Sequence, residues 1–254
     1  MVLNKELVRA AINSEKRLKP LTETGSNFTF AFNKDITRIK EIILESVQIP
    51  FSFYAIGPHN NVLTFNQGAV SITITPGNYT TATLTLMLRT LINTAFNDNT
   101  TNIIFTYSTY TLNITRGIAF NVDSIADIPA STAARVLGFS VSTATATSVT
   151  GNNVVNLSGP NYLLLVSSLL THPIHHQMLY ADNTYSNVLV SIPIGISPGD
   201  IITLREKVSV PIKLSYKFNI LAGTPIDFMI TDEFGNILDM NGADVALQLV
   251  FVTE

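Results

Sequence analysis

Apolar residues alternate with polar or β-branched residues along most of the chain, at the two-residue period of half-buried β-strands. The early segments with this alternation are residues 28–32, 37–56, 61–65 and 70–75. Beyond Phe139 the later segments are residues 154–158, 161–170, 187–194, 201–206, 211–221, 226–231, 236–240 and 245–252. Turn residues such as Gly159-Pro160 separate them, at the spacing of roughly 8–12 residues that is typical of sandwiches. The pattern predicts an all-β protein, with a single jelly-roll β-sandwich favoured over a barrel.

Two segments have a helical pattern instead, so we expect one or two short helices inserted in the sandwich. In residues 80–96 the apolar side chains fall on one helical stripe, and Thr80 is placed to cap the first turn. The stripe comprises Leu84, Met87, Leu88, Leu91, Ile92 and Ala95. A second short helix is predicted over Ser131–Leu137, where Ser131 can begin it and Gly138 can end it. Residues 102–115 are predicted as two strands or one long bent strand.

Charge divides the chain into a basic N-terminal arm, residues 1–25, and a charge-poor jelly-roll domain, residues 26–254. Eight of the 15 Lys and Arg residues lie in the first 40 positions, although the net charge of the whole chain is −3. We expect the arm to be partly helical, with Pro20 and Gly25 ending the helix. Two interpretations stay open: an exposed segment that is basic by chance, or a contact with nucleic acid or an anionic membrane.

The composition excludes several classes of protein and site. The chain has no cysteine, which excludes disulfides and thiolate metal sites. The N-terminus carries charges throughout, unlike a secretory signal. The most apolar run, residues 161–170, is far shorter than the roughly 20 residues of a membrane-spanning helix. We expect a soluble protein made in the cytosol, whose neutral surface of Thr, Asn and Ser suits large protein contacts.

The G-x-S-x-G pattern at residues 195–199 makes Ser197 a candidate hydrolase nucleophile. Pro198 follows it and lacks the backbone N–H that would form half of an oxyanion hole. The next residues, 201–206, have strand character, whereas the nucleophile motif requires a helix. We therefore predict a turn between two strands, and a Ser197→Ala variant that folds and assembles normally.

Two other clusters could bind metal ions. The cluster of His172, His175 and His176 contains Pro173, which disfavours a helix, and has no well-placed carboxylate nearby. Exposed loop histidines are the favoured interpretation, while a metal site or a pH-sensitive contact stays open. Residues 239–244 resemble a calcium loop without its final glutamate and are predicted to form a turn. The residues therefore predict no catalytic residue, no metal ligand and no cofactor, and they favour assembly or binding over enzyme activity.

Four segments follow one another in an informative order, namely residues 76–96, 134–140, 156–170 and 226–252. In the last of them, the spacing of Asp232, Gly235, Asp239 and Gly242 predicts a hairpin before the final strand. The order of these four segments resembles that in the penton, or vertex, capsid proteins of double-stranded DNA viruses with jelly-roll capsids. This group includes virophages, polinton-type elements and nucleocytoplasmic large DNA viruses.

The resemblance implies a jelly roll whose copies form a homopentamer at each five-fold vertex of an icosahedral shell, surrounded by the major capsid protein. It implies a location in the virion and no small-molecule substrate. The net charge of the basic arm leads us to expect that it lies on the inner side, toward the genome or an internal membrane, or that it ties the vertex to its neighbours. Related vertex proteins sometimes carry an extra outer domain. The length of this chain leaves little room for one, apart from the Thr/Ser-rich residues 140–155.

Two other functions compete with this one. A jelly-roll module of a virion fibre or spike, binding a receptor or glycan, would be expected to expose aromatic rings. The chain has no Trp, and its Tyr residues are scattered along the sequence, which counts against such a module. An enzyme of the cupin type needs histidines and a carboxylate from different strands, whereas three of the four histidines here lie in one short segment.

Overall fold

The computed structural model describes residues 6–19, 23–170, 187–205 and 212–254. The chain divides into two compact units. We call residues 1–53 with 160–254 the jelly-roll unit, and residues 54–159 the insertion unit.

The described residues form fourteen strands and one α-helix. In chain order they are β1 (Glu6–Asn13), β2 (Asn27–Phe30), β3 (Ile36–Pro50), β4 (Val62–Phe65), β5 (Val70–Thr73), α1 (Thr81–Phe96), β6 (Asn102–Thr106), β7 (Thr111–Phe120), β8 (Ala146–Thr150), β9 (Tyr162–Val166), β10 (Val188–Pro193), β11 (Ile201–Arg205), β12 (Ile212–Ile220), β13 (Ile226–Thr231) and β14 (Ala246–Thr253). Single turns of 3-10 helix occur at Ser14–Lys16 and Thr132–Ala134. None of the helices in the described part of the chain has the length and apolar character needed to cross a bilayer.

Strand order identifies the jelly roll. One antiparallel sheet runs β1-β14-β3, and β11 and β12 both pair with the remaining edge of β3. The other antiparallel sheet runs β10-β9-β13-β2. If β11 and β12 are counted as one interrupted strand, the unit has eight strands whose sheet orders are 1-8-3-6 and 2-7-4-5. This is the order of a jelly roll built from two Greek keys, and the predicted all-β fold class is confirmed.

The core of the jelly-roll unit follows from the two-residue alternation in its long strands. In β3, Ile39, Val47 and Ile49 are fully buried. They lie in one apolar cluster with Phe28 of β2 and Phe228 of β13, whose rings stack 5.5 Å apart. Burying each such side chain contributes roughly 1.5–3 kcal/mol, so the sandwich is held mainly by its interior.

The insertion unit has its own core. A hairpin of β4 and β5, helix α1 and the three-stranded sheet β6-β7-β8 surround it. Helix α1 buries one face, comprising Leu84, Leu88 and Ile92, as the stripe predicted. Thr80 caps the helix in a capping box with Thr83, so the helix predicted over residues 80–96 is confirmed. The second predicted helix is only one 3-10 turn at Thr132–Ala134.

The N-terminal helix prediction was wrong. Residues Glu6–Asn13 form strand β1, which pairs with β14 along its whole length, from Glu6 opposite Thr253 to Asn13 opposite Ala246. Ala10 and Ile12 alternate with exposed residues and point into the core. This burial favours a strand over the local helix propensity. The described part of the predicted arm, residues 1–25, therefore contributes a strand to the jelly roll.

The chain was expected to leave little room for an extra domain apart from residues 140–155, whereas all of residues 54–159, which include that segment, form a second compact unit between β3 and β9. Neither residues 154–158 nor residues 236–240 form a strand in the described structure, contrary to prediction. Instead strand β8 lies in the Thr/Ser-rich segment expected to be a loop. It forms because Val149 is buried opposite Ile114 of β7.

Candidate functional site

The strand register brings four connections of the jelly-roll unit to one end of the sandwich, which we call the loop end. The paired positions there are Asn13 with Ala246, Pro50 with Ile201, and Tyr162 with Pro193. The described residues 14–19, 23–26, 194–200 and 232–245 lie in the connections between strands at this end, and the chain leaves for the insertion unit after Phe53. The Ser197 motif and the Asp232–Gly242 segment are far apart in the sequence but lie at the same end.

Ser197 lies in an exposed turn of the loop end. The Asp200 N–H donates to the Ser197 carbonyl at 3.2 Å, and the Gly199 N–H donates to the Phe51 carbonyl at 3.0 Å. Gly199 has a φ of 97°, which suits glycine in such a turn. Strand β11 follows the turn, where a nucleophile motif would need a helix. The predicted turn is confirmed, and the local backbone lacks the architecture of a hydrolase nucleophile.

The predicted hairpin before the final strand is not present as a pair of strands, because β13 and β14 belong to different sheets. Residues 232–242 instead form two consecutive turns, each begun by an aspartate, with one isolated bridge between Thr231 and Ile237. The Asp232 carboxylate accepts hydrogen bonds from the backbone N–H groups of Phe234 and Asn236, both at 2.9 Å. The Asp239 carboxylate accepts from the Asn241 N–H at 2.8 Å. These contacts stabilise turns, as predicted for residues 239–244. No set of three potential metal ligands occurs among the residues that the structure describes, while His172, His175 and His176 lie outside those residues.

At the loop end, the segment after β1 is fastened to the start of β14. The Asp244 carboxylate accepts hydrogen bonds from the Ser14 hydroxyl and the Arg17 guanidinium, both at 2.7 Å. The Ser14 hydroxyl in turn accepts from the Val245 N–H at 2.8 Å. The charge of Arg17 is thus neutralised within the jelly-roll unit. Sequence reasoning missed this cluster because its members are separated by more than 200 positions.

At the opposite end of the sandwich, Glu254 is held between two lysines. Lys40 Nζ lies 2.5 Å from one carboxylate oxygen, and Lys217 Nζ lies 3.0 Å from the other. The hydrogen bond from Lys40, followed by that from Lys217, lowers the pKa of Glu254 to about 2 against the opposing effect of desolvation. Arg9 of β1 also pairs with Glu45 of β3 at 3.2 Å. Some of the basic residues near the N-terminus, namely Arg9 and Lys40, therefore form ion pairs within the jelly-roll unit.

The exposed edge strands of the jelly-roll unit are better suited to contacts with other protein chains than to catalysis. Strands β1 and β11 lie at opposite edges of one sheet, and each exposes a large apolar side chain, Leu7 at 56% and Ile201 at 58%. An edge strand also presents unpaired backbone groups that another chain can contact. These two edges, with the loop end, form the candidate assembly surface. The alternation of Ala10 and Ile12 was the sequence signal for the β1 edge.

The chain was compared with family models, curated proteins and solved structures. No family model matches the sequence, and no curated protein matches it either. Among solved structures, the chain is similar to the crystal structure of the mavirus penton protein, with 11% sequence identity and a TM-score of 0.45. The superposition covers 98% of this chain and 99% of that chain. This similarity is too low to establish fold or function, and the fold assignment rests on the strand order.

Proposed function

We propose that the protein is a structural capsid protein whose copies form the pentameric vertex of an icosahedral viral shell. The observation that carries the proposal is the strand order of the jelly-roll unit, because jelly rolls of this kind recur in viral capsid proteins. Fold alone does not define function. The order of sequence segments that resembles penton proteins supplies the second argument.

The exposed edges of the jelly-roll unit suit a ring. A closed five-fold ring brings two different surfaces of neighbouring copies together at every interface. Leu7 on the β1 edge and Ile201 on the β11 edge provide one apolar contact on each side of the same sheet. In the proposed ring, the β1 edge of one copy meets the β11 edge of the next.

The major capsid protein is the proposed neighbour of the ring, and the virion is the proposed location. Contact with the genome or an internal membrane would depend on basic residues of the N-terminal segment. Arg9, Arg17 and Lys40 already form ion pairs, so exposed lysines such as Lys16 and Lys34 are the better candidates for that contact. We expect no enzyme activity and no cofactor.

The oligomeric state of the purified 27.7 kDa chain tests the proposal, and native mass spectrometry is the suitable measurement. We expect a pentamer, and we expect Leu7→Glu or Ile201→Glu to dissociate it because each places a charge in an apolar contact. Leu86→Glu is the matched control, since Leu86 is equally exposed at 56% but lies on α1 of the insertion unit.

Incorporation into shells provides the second measurement. The wild-type chain and the three variants are co-expressed with the major capsid protein, and the vertices of the resulting particles are examined by electron microscopy. We expect the wild type and Leu86→Glu to occupy the vertices and the two edge variants to be missing from them. A trimer in solution, or vertices filled equally by both edge variants, would contradict the proposed ring.

A further inference from the structure

Aromatic rings gather at the tip of the β6–β7 hairpin in the insertion unit. Tyr107 and Tyr110 begin and end the four-residue turn, and they are 68% and 59% exposed. Both rings contact Phe105 edge-on, at centroid distances of 4.9 Å for Tyr107 and 6.3 Å for Tyr110. We call these three residues the aromatic tip. Although the Tyr residues looked scattered in the sequence, the turn brings two of them to one place.

The backbone holds the aromatic tip in a conformation that an aromatic residue rarely adopts. Tyr110 has a φ of 53°, in the left-handed region that favours glycine or asparagine. Its carbonyl accepts a hydrogen bond from the Val155 N–H at 2.8 Å. The Tyr107 hydroxyl is 3.0 Å from that of Thr81 at the start of α1. The tip is therefore fixed from two sides, and a bulky ring is present where a turn alone would favour glycine.

The sequence segments that form the aromatic tip and its neighbouring strands are polar and uncharged. Neither residues 99–115 nor residues 136–159 contain an Asp, Glu, Lys or Arg. Phe105 is paired with Leu112, so Asn113 lies on the opposite face of the sheet, where its amide donates to the hydroxyls of Thr150 at 2.8 Å and Ser148 at 3.1 Å. The hydroxyls of Thr109 and Thr111 lie 2.7 Å apart at the turn itself. Hydroxyl and amide groups both donate and accept hydrogen bonds, as the hydroxyls of a ligand would require.

We propose that the aromatic tip is a binding site for a neutral carbohydrate. The apolar C–H face of a sugar can pack on an exposed aromatic ring, and its hydroxyls can bond the hydroxyls of Thr81, Thr109 and Thr111. Residues 99–115, which form the tip, offer no basic side chain to an anionic glycan or lipid. Two Tyr rings offer about 200 Å² each, well below the roughly 800 Å² per partner of a stable protein interface. A small neutral ligand therefore fits better than a protein.

Saturation-transfer NMR on the full-length chain tests this site, with the methyl glycosides of glucose, galactose, mannose and N-acetylglucosamine as probes. We expect transfer from the aromatic protons to the C–H face of at least one glycoside. Tyr110→Gly and Tyr107→Ala should each weaken its binding about tenfold or more. Tyr107→Phe should retain binding because it keeps the ring. Tyr162→Ala removes an exposed tyrosine of the jelly-roll unit and is the matched control.

Stability measurements separate a binding role from a structural one. Glycine suits the left-handed φ of Tyr110 better than tyrosine does, so Tyr110→Gly should unfold at the same or a higher urea concentration while binding is lost. Absence of transfer to all four glycosides would overturn the proposal, and so would binding that survives Tyr110→Gly. If the wild type self-associated and Tyr110→Gly abolished this association, the aromatic tip would be a contact with a second copy of the chain and not a carbohydrate site. None of these results depends on whether a pentamer forms.

Discussion

The two units of the molecule use charge in opposite ways. The insertion unit, residues 54–159, contains three Arg and three Asp but no Lys or Glu, whereas the jelly-roll unit contains the other 27 charged residues. Three ion pairs of the jelly-roll unit involve the first 40 residues, namely Arg9–Glu45, Arg17–Asp244 and Lys40–Glu254, and another joins Lys217 to Glu254. At least one partner in each is solvent-accessible. The insertion unit instead pairs Arg116 with Asp98 in its interior. The charged surface of the jelly-roll unit suits the proposed contacts between neighbouring copies. The nearly neutral surface of the insertion unit suits the proposed neutral ligand.

The buried pair of the insertion unit connects the end of α1 to β7. Only 2% of the Arg116 side chain is exposed, and its guanidinium lies 3.7 Å from the centre of the Phe96 ring. Burial would raise the pKa of Asp98. Hydrogen bonds from Arg116 and Thr100 outweigh that effect and hold the pKa below its ordinary value. Because both groups stay charged, removing one leaves an uncompensated charge in the unit.

The largest effect is expected from Arg116→Met. This change removes the positive charge but keeps a long apolar side chain, so the Asp98 carboxylate is left without its partner. We expect the insertion unit to lose about 3–5 kcal/mol of unfolding free energy. Hydrogen exchange measured by mass spectrometry can locate the loss, since amides of α1 and β7 should lose protection while those of β3 and β14 keep it.

Two further variants control for this result. Arg89→Met removes an exposed arginine of α1 and should change stability little. Adding Asp98→Leu to Arg116→Met removes the orphaned charge, and it should recover a large part of the lost stability. If the double variant were no more stable than the single one, the stabilisation would come from the Arg116 guanidinium over the Phe96 ring and not from its ion pair with Asp98.

A smaller effect, in the jelly-roll unit, is expected from Ile12→Ala. Ile12 is 1% exposed in β1, and truncating a buried isoleucine costs about 2–5 kcal/mol. Leu7→Ala in the same strand is the control, since Leu7 is exposed and should contribute little in the isolated chain. Urea unfolding measures the unfolding free energy of both variants. A negligible effect of Ile12→Ala would mean that residues 6–13 behave as a separate arm.

The features predicted correctly are those that depend on neighbours in the sequence. The stripe in α1 and the turn at Pro198-Gly199 need only local information, and both are present. Strand β1 was missed because its partner is β14, at the other end of the chain. The charges of Glu6 and Arg9 also concealed its short alternation.

The insertion unit was missed for a different reason. Its strands alternate like those of the jelly roll, and the Gly159-Pro160 turn at its end has the same composition as the turns between ordinary strands. Only the separation of two apolar cores reveals it. The aromatic tip had a local signal that could have been used, because Tyr107 and Tyr110 are separated by two turn-forming residues between two strand patterns.

The smallest effect concerns the pH dependence of the jelly-roll unit. The pKa of Glu254 is about 2 in the folded chain, against an ordinary value of 4.5. The stability that this difference provides is fully present above pH 4.5 and is lost as the pH falls toward 2. Lys40 and Lys217 are 50% and 40% exposed, so solvent screens the contacts and the effect stays below that of the other variants.

Glu254→Gln tests this assignment and completes the comparison between the units. The variant should be less stable than the wild type at pH 6, and the difference should disappear between pH 4.5 and 2, because protonated Glu254 no longer attracts the two lysines. Acid sensitivity of the insertion unit should be unchanged, since it depends on Asp98 and Asp127, whose pKa values are lowered by contacts within that unit. Hydrogen exchange in β3 and α1 as a function of pH reports the two units separately. If Glu254→Gln altered the exchange of α1 as much as that of β3, the two units would not respond to acid independently.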